Sequence, residues 1–499
     1  MSIVLLKKGV YLMKSKLTLI LAALILMSCA SCGSESQTQT ETTTSGETTT
    51  ETDTNAEYSF PELNMNGDEF VFLQQGEMGK RGDSYRDIWV ETQTGDILDD
   101  AIWSRNATIE DKFNVKIVER RESDVAAVVK TAVAAGDYIC DVAFPLTYNM
   151  GTLITEGILQ DLSKISGFQF EQPWWDQDVM ADAYVGNDKA LYFASSDLTL
   201  HNFEMSWCLY FNRRMIEDHQ LDLPYDTVKA GKWTFDELYK YISVGANLNG
   251  DESWDWNKDG NSVYGFTSMQ PDFITQAFVC TGNKQIKFED GNAKLMAGTG
   301  NFYDVADKLT KVFGEKGTDF FSNDKTNGSH YEMVFAAGRS MFCAMEIKGG
   351  DGGRKFSDMK DDYGIVPMPK YDENDDYVSP VAVWTYFMTI PVTNTKLDET
   401  AIILDAMSYL SYRDIVPKYY DVVLQLKHIR DDETSEMLDI IRDSRTYYTA
   451  YAFGLGEKLR SSLANAITSG QGGASSIVAT YKDSTVAEID KVMEAINSK

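Results

Sequence analysis

Residues 113–144, FNVKIVERRESDVAAVVKTAVAAGDYICDVAF, hold the pattern that decides the fold. A short apolar strand at 115–118 is followed by an alanine- and valine-rich helical run over 124–135, and residues 139–144 then read as a second, almost wholly apolar strand. Upstream, residues 69–73 predict another strand. Between them Leu98, Ile102, Ile109 and Phe113 recur near helical spacing behind Asp96, a residue suited to the N-cap, so a helix is expected over 97–112. Strand, helix, strand, helix, strand specifies a parallel α/β sheet. The near-continuous apolar strands suit a sheet covered on both faces.

Strand-like runs continue at 190–194, 207–211, 340–344, 364–366 and 384–390, with helical stretches between them and no internal repeat. A final amphipathic helix places Ile489, Val492, Met493 and Ile496 on one face. A chain of 499 residues exceeds what one core usually serves, so two lobes are expected. The net charge of −30 and isoelectric point near 4.5 argue against nucleic acid and against anionic lipid bound through the folded body. The plain reading of such a surface is solubility.

Lys14 and Lys16 precede an apolar run over 17–27, too short to span a bilayer comfortably and flanked like a secretory signal, which reads more naturally from Met13 than from Met1. The run ends in Leu26-Met27-Ser28-Cys29, which resembles the bacterial lipobox. That resemblance implies a signal peptide over 1–28 and a diacylglyceryl group on Cys29, two acyl chains being enough for stable anchoring. The alternatives are use of Cys32 or an ordinary secretory cut. Cleavage before Cys29 removes four lysines and takes the charge to −34. Residues 29–56 are then a disordered tether. From 33 to 56 they are Ser, Thr, Glu, Gln and Gly-rich, with no aromatic or large aliphatic side chain to bury, and their coil reach is roughly 25–30 Å.

Cys140, Cys208, Cys280 and Cys343 could pair as two disulfides in three ways. Cys140, Cys208 and Cys343, however, sit in apolar runs, where buried free thiols are expected. The four histidines, His201, His219, His330 and His428, show no zinc-ligand spacing. Asp255, Asn257 and Asp259 alternate before Gly260 like the first half of a calcium loop. Phe266 stands where the bidentate glutamate belongs, so Asp251 or Glu252 would have to complete a structural Ca2+ site. The competing reading is an Asx-rich surface turn.

Several phrases, in order, resemble the family 1 extracellular solute-binding proteins, relatives of maltose-binding protein. They are DYICDVAFPLTYNMGTLITEGILQDLSKI (137–165), FNRRMIEDHQLDLPYDTVKAGKWTFDELYKYI (211–242), VFAAGRSMFCAM (334–345) and YGIVPMPKYDE (363–373), with VWTYFMTIPVTNTKLDETAIILDAMSYLS (383–411) after them. Together they span nearly the whole body from about residue 57. The resemblance implies the type II periplasmic binding fold, two discontinuous α/β lobes joined by a hinge: 57–206 with 367–412, and 207–366 with 413–499. It also implies an extracytoplasmic, monomeric receptor on the outer face of the bacterial membrane. That receptor would close on a small polar solute and pass it to the permease subunits of an ABC importer.

A sugar needs aromatic faces for its C–H patches and planar polar groups for its hydroxyls. The favoured ligand-binding residues are Tyr148, Asp197, Glu346, Trp384 and Tyr386, with Trp174 and Trp175 as a further pair. Core packing is the alternative for each aromatic, and a surface carboxylate for Asp197 or Glu346. Two other functions compete: a secreted carbohydrate-active hydrolase using a carboxylate pair, and a surface sensor or adhesin without a transporter. No nucleophile elbow or catalytic metal motif appears.

Overall fold

The computed structural model describes residues 58–76, 87–254, 259–315, 319–322, 330–348, 356, 359–423 and 432–498. Strand β1 (Glu69–Gln75) pairs in parallel with β2 (Lys116–Glu122) and β3 (Val142–Ala143), giving the order β2-β1-β3. The crossovers are helices α1 (Ile97–Phe113) and α2 (Val125–Ala135). Asp96 caps α1 by accepting the N–H groups of Leu98 and Asp99 at 2.9 and 3.0 Å. Asp124 caps α2 through Ala127 N–H.

Antiparallel bridges extend this sheet. Ala143 faces Thr389 and Leu146 faces Tyr386, while Met388 faces Ala194 on the far side. The run expected as a strand over 384–390 therefore lies beside β3, though as isolated bridges rather than a continuous ladder. Next come α3 (Met150–Thr155) and the hairpin of β4 (Tyr184–Val185) and β5 (Ala190–Leu191).

The second sheet runs β10-β7-β11-β6-β12, with β6 at Trp207–Asn212, β7 at Tyr264–Met269, β10 at Asp319–Ser322, β11 at Ser340–Glu346 and β12 at Tyr363–Pro367. Here β10, β7 and β11 are mutually parallel, and β6 runs antiparallel between β11 and β12. The two sheets share one plan. Three parallel strands are followed by an antiparallel one, which arrives after the chain has just left the other sheet. Helix α4 (Asp272–Cys280) follows β7, and the hairpin β8 (Ile286–Glu289) and β9 (Asn292–Leu295) follows α4.

The expected strands omit β7, although all six of its residues are buried. Gly265 is required there, because a Cβ would meet the Ile242 carbonyl oxygen at 2.0 Å. A glycine and a serine in YGFTSM dilute the apolar run that would otherwise mark a central strand.

The later elements are β13 (Ser379–Pro380), α5 (Leu397–Leu410), α6 (Asp432–Asp443), β14 (Arg445–Thr446), α7 (Glu457–Thr468) and α8 (Ala474–Asn497). One core gathers Phe70, Phe72, Val142 and Phe144 with Leu404 and Met407 of α5. A second joins Phe211, Trp233, Phe266 and Phe342, and a third places Ala101 and Ile102 of α1 against Tyr210, Cys343 and Met345. The cores do not divide at residue 413. Tyr447, Tyr448 and Leu455, with Ile489, Met493 and Ile496 of α8, pack into the first core. The apolar face of α8 needs cover, and it finds part of it at the β4–β5 turn, where a Cβ on Gly186 would meet Ile496.

Cys140, Cys208, Cys280 and Cys343 are buried free thiols. Burial pushes the Cys140 thiol up to about 12, so it behaves as a small hydrophobe. Among the described residues no helix is long and apolar enough to cross a membrane.

Candidate functional site

Parallel α/β sheets gather ligands at the carboxyl ends of their strands, where loops leave the sheet and side chains are freed from the core. The first sheet ends there in Leu146-Thr147-Tyr148. Thr147 is held against the neighbouring run, its N–H donating to the Thr385 carbonyl at 2.9 Å and its hydroxyl to the Val383 carbonyl. This places Tyr148 beside Trp384. Their ring centroids are 5.6 Å apart at 70°, an edge-to-face pair. Tyr148 is 48% exposed and Trp384 is half-buried, so both keep open aromatic surface.

A polar seam runs from this pair into the other half of the molecule. The Tyr447 hydroxyl lies near Thr147 without a well-formed hydrogen bond. Arg460 of α7 sits over the Tyr451 ring at 4.1 Å, and the Tyr451 hydroxyl lies near Thr275 and Arg460. Asp272, at the start of α4, offsets the Arg460 charge. Burial pushes the Tyr451 phenol up to about 12, so it remains a neutral donor at physiological pH. The halves also touch through the Gly151 N–H, which donates to the Ala452 carbonyl at 2.7 Å. A Cβ at Gly151 would meet that oxygen at 2.8 Å.

No family model matches the chain, and no curated protein sequence does. Solved structures do. The GacH receptor of Streptomyces glaucescens, solved unliganded and with acarbose, aligns with a TM-score of 0.50 at 12% identity over 84% of this chain and 99% of that one. The ABC substrate-binding protein Lmo0181 of Listeria monocytogenes, in complex with cycloalternan, aligns with 0.51 at 13% over 86% and 99%. UgpB of Mycobacterium tuberculosis, in complex with glycerophosphocholine, aligns with 0.51 at 13% over 79% and 95%. The fold is that of ABC solute-binding proteins.

Against this fold the expected site residues separate into two groups. Tyr148 and Trp384 come together at an open edge. Trp174 and Trp175 do not join them: they are buried, and both indole N–H groups donate to one oxygen of Asp405, at 3.0 and 2.8 Å. Tyr386 is buried too, stacked on His201 at 3.9 Å and edge-on to Phe144. Asp197 is buried and ion-paired with Arg442 of α6 at 2.8 Å; burial raises its carboxyl, against the pull of Arg442 and Arg445. Its neighbour Asp176 pairs with Arg445 at 2.8 Å. Glu346 ends β11 half-buried, in register with Trp207.

Tyr447, Tyr451, Arg460, Asp272 and Gln276 are absent from the expected set. The aromatic run YYTAYAF at 447–453 was the sequence signal for part of it. Arg460 and Gln276 carry no such signal, because they look like ordinary polar positions on helices until α4 and α7 are packed together.

The calcium reading rests on Asp255 and Asn257, which lie outside the described residues, and on Asp259. Asp251 is already engaged. Its carboxylate accepts the N–H groups of Asn261 and Ser262, both at 2.7 Å, and the Ser262 hydroxyl at 2.6 Å, closing the loop by itself. Those hydrogen bonds hold its pKa low. All three of these bonds fall on one oxygen of Asp251, the other accepting only Asn261 Nδ2 at 3.4 Å, and Glu252 is exposed.

Proposed function

We infer that the protein is the solute-binding component of an ABC importer and that its ligand is a mono- or oligosaccharide, bound without chemical change. The fold supports the receptor class. The observation that carries the ligand class is the Tyr148–Trp384 pair, an open aromatic corner beside a seam of hydroxyls, amide and guanidinium. That combination suits a molecule with apolar C–H faces and many hydroxyls. Lobes 57–206 with 367–412 and 207–366 with 413–499 move about the two crossing runs at β6 and 384–390. The contacts of Tyr447–Leu455 and α8 with the first core are those that opening breaks.

A thermal-shift screen with neutral oligosaccharides tests this reading. A ligand at 100 times its Kd adds about 2.7 kcal/mol to the stability of the folded state. The bound sugar is expected to be recovered intact by mass spectrometry, and small-angle scattering is expected to show compaction. Cleaved sugar would favour the hydrolase reading, and an unchanged radius would remove hinge closure.

Lipidation of Cys29 belongs to the same proposal and supports an extracytoplasmic place at the membrane. Cys29→Ser is expected to leave the precursor unprocessed or release the protein from membranes. Wild-type processing and membrane fractionation of that variant would end the lipoprotein reading. A structural Ca2+ at Asp255, Asn257 and Asp259 is also proposed. EDTA is then expected to lower the melting temperature of the wild type but not of Asp255→Ala/Asp259→Ala, and an equal response of both would remove the metal.

A further inference from the structure

The seam contains polar groups that the folded chain does not satisfy. Gln276 is 0% exposed, and neither its amide oxygen nor its amide nitrogen has a hydrogen-bond partner. It lies one helical turn beyond Asp272 on the face of α4 that meets Arg460 and Tyr451. Close by, Nε of buried Arg460 and the hydroxyls of buried Tyr447 and Tyr451 lack partners as well. A buried polar group left unpaired destabilises the fold, so a cluster of four is unusual in a structure that has no use for it.

The charges along the same interface are already matched. Arg460 faces Asp272, Arg442 pairs with Asp197, Arg445 with Asp176, and Lys284 with Asp182. None of these four cations is left over to neutralise an anionic ligand, and a net charge of −30 repels one.

We propose that the Gln276 amide, with Arg460 Nε and the Tyr447 and Tyr451 hydroxyls, is the hydrogen-bonding subsite for adjacent hydroxyls of an uncharged carbohydrate. This rests on the carbohydrate-receptor reading above and adds its polar anchor and its charge selectivity. An amide offers one donor side and one acceptor side, which two neighbouring sugar hydroxyls satisfy together. Tyr148 and Trp384 cover the apolar face of the same ring.

The test uses the full chain and two variants, Gln276→Met, which keeps the volume, and Tyr451→Phe, which removes only a hydroxyl. Without ligand, both are expected to melt at or above the wild-type temperature, since each deletes an unsatisfied buried group. Calorimetry with the neutral oligosaccharide that shifts the wild type is expected to show affinity lower by about tenfold or more in each. The corresponding uronic acid is expected not to bind. Wild-type affinity in both variants would overturn the subsite while the receptor function stands. A marked fall in melting temperature of both ligand-free variants would show these groups to be satisfied in the free protein and would overturn it too. Binding of the uronic acid would overturn the charge assignment. A wild type that responds to no neutral sugar would fail the receptor reading itself, and the subsite with it.

Discussion

Asp405→Ala is expected to lower the unfolding free energy by about 3–5 kcal/mol, read as a fall in denaturant midpoint at unchanged slope. Asp405 is fully buried on α5, and its carboxylate gathers the 169–175 segment. One oxygen accepts the indole N–H groups of Trp174 and Trp175, and the other accepts Gln169 Nε2 at 2.9 Å. Burial raises the carboxyl while the indole donors lower it. Removing the acceptor strands two indole donors in an apolar core, at about 1–3 kcal/mol for each unsatisfied group. Asp405→Asn keeps an acceptor oxygen and is expected to cost far less. The effect reaches the ion pair beyond, because the Trp174 carbonyl accepts the Asp197 N–H at 2.9 Å. If Asp405→Ala and Asp405→Asn unfold alike, the donors are not what the carboxylate holds.

Trp384→Ala is expected to weaken carbohydrate binding by about 1–3 kcal/mol, or roughly 5- to 150-fold, by analogy with aromatic stacking on nucleic-acid bases. The fold should persist, because Trp384 is only half-buried and its neighbours Thr385 and Tyr386 carry the bridges to the first sheet. Tyr148→Ala is expected to cost less alone. Since the two rings touch edge to face, each single variant already removes their mutual contact, and the double variant should lose less than the sum of the single losses. Binding by Trp384→Ala equal to wild type would move the site away from this corner. Trp174 and Trp175, the other aromatic pair expected from sequence, could not replace it without giving up Asp405.

What could be read in the sequence was local and periodic. Asp96 and Asp124 mark helix starts because an N-cap needs only a side chain and its own next turn. The parallel order of β1, β2 and β3 follows from alternation of strand and helix along 69–144, which leaves few topologies open. Tyr148 could be named because a residue just past an apolar strand leaves the core at a predictable edge.

Tertiary structure decided the rest. Asp197, Trp174, Trp175 and Tyr386 were drawn into the interior by partners 185 to 245 positions away in the chain, which no local pattern announces. β7 stayed hidden because Gly265 answers to the carbonyl of Ile242 rather than to strand propensity. Gln276, Tyr451 and Arg460 form one seam only when α4 and α7 lie side by side. A binding site joins groups by their distance in space, whereas sequence periodicity records only which face of its own element a residue occupies.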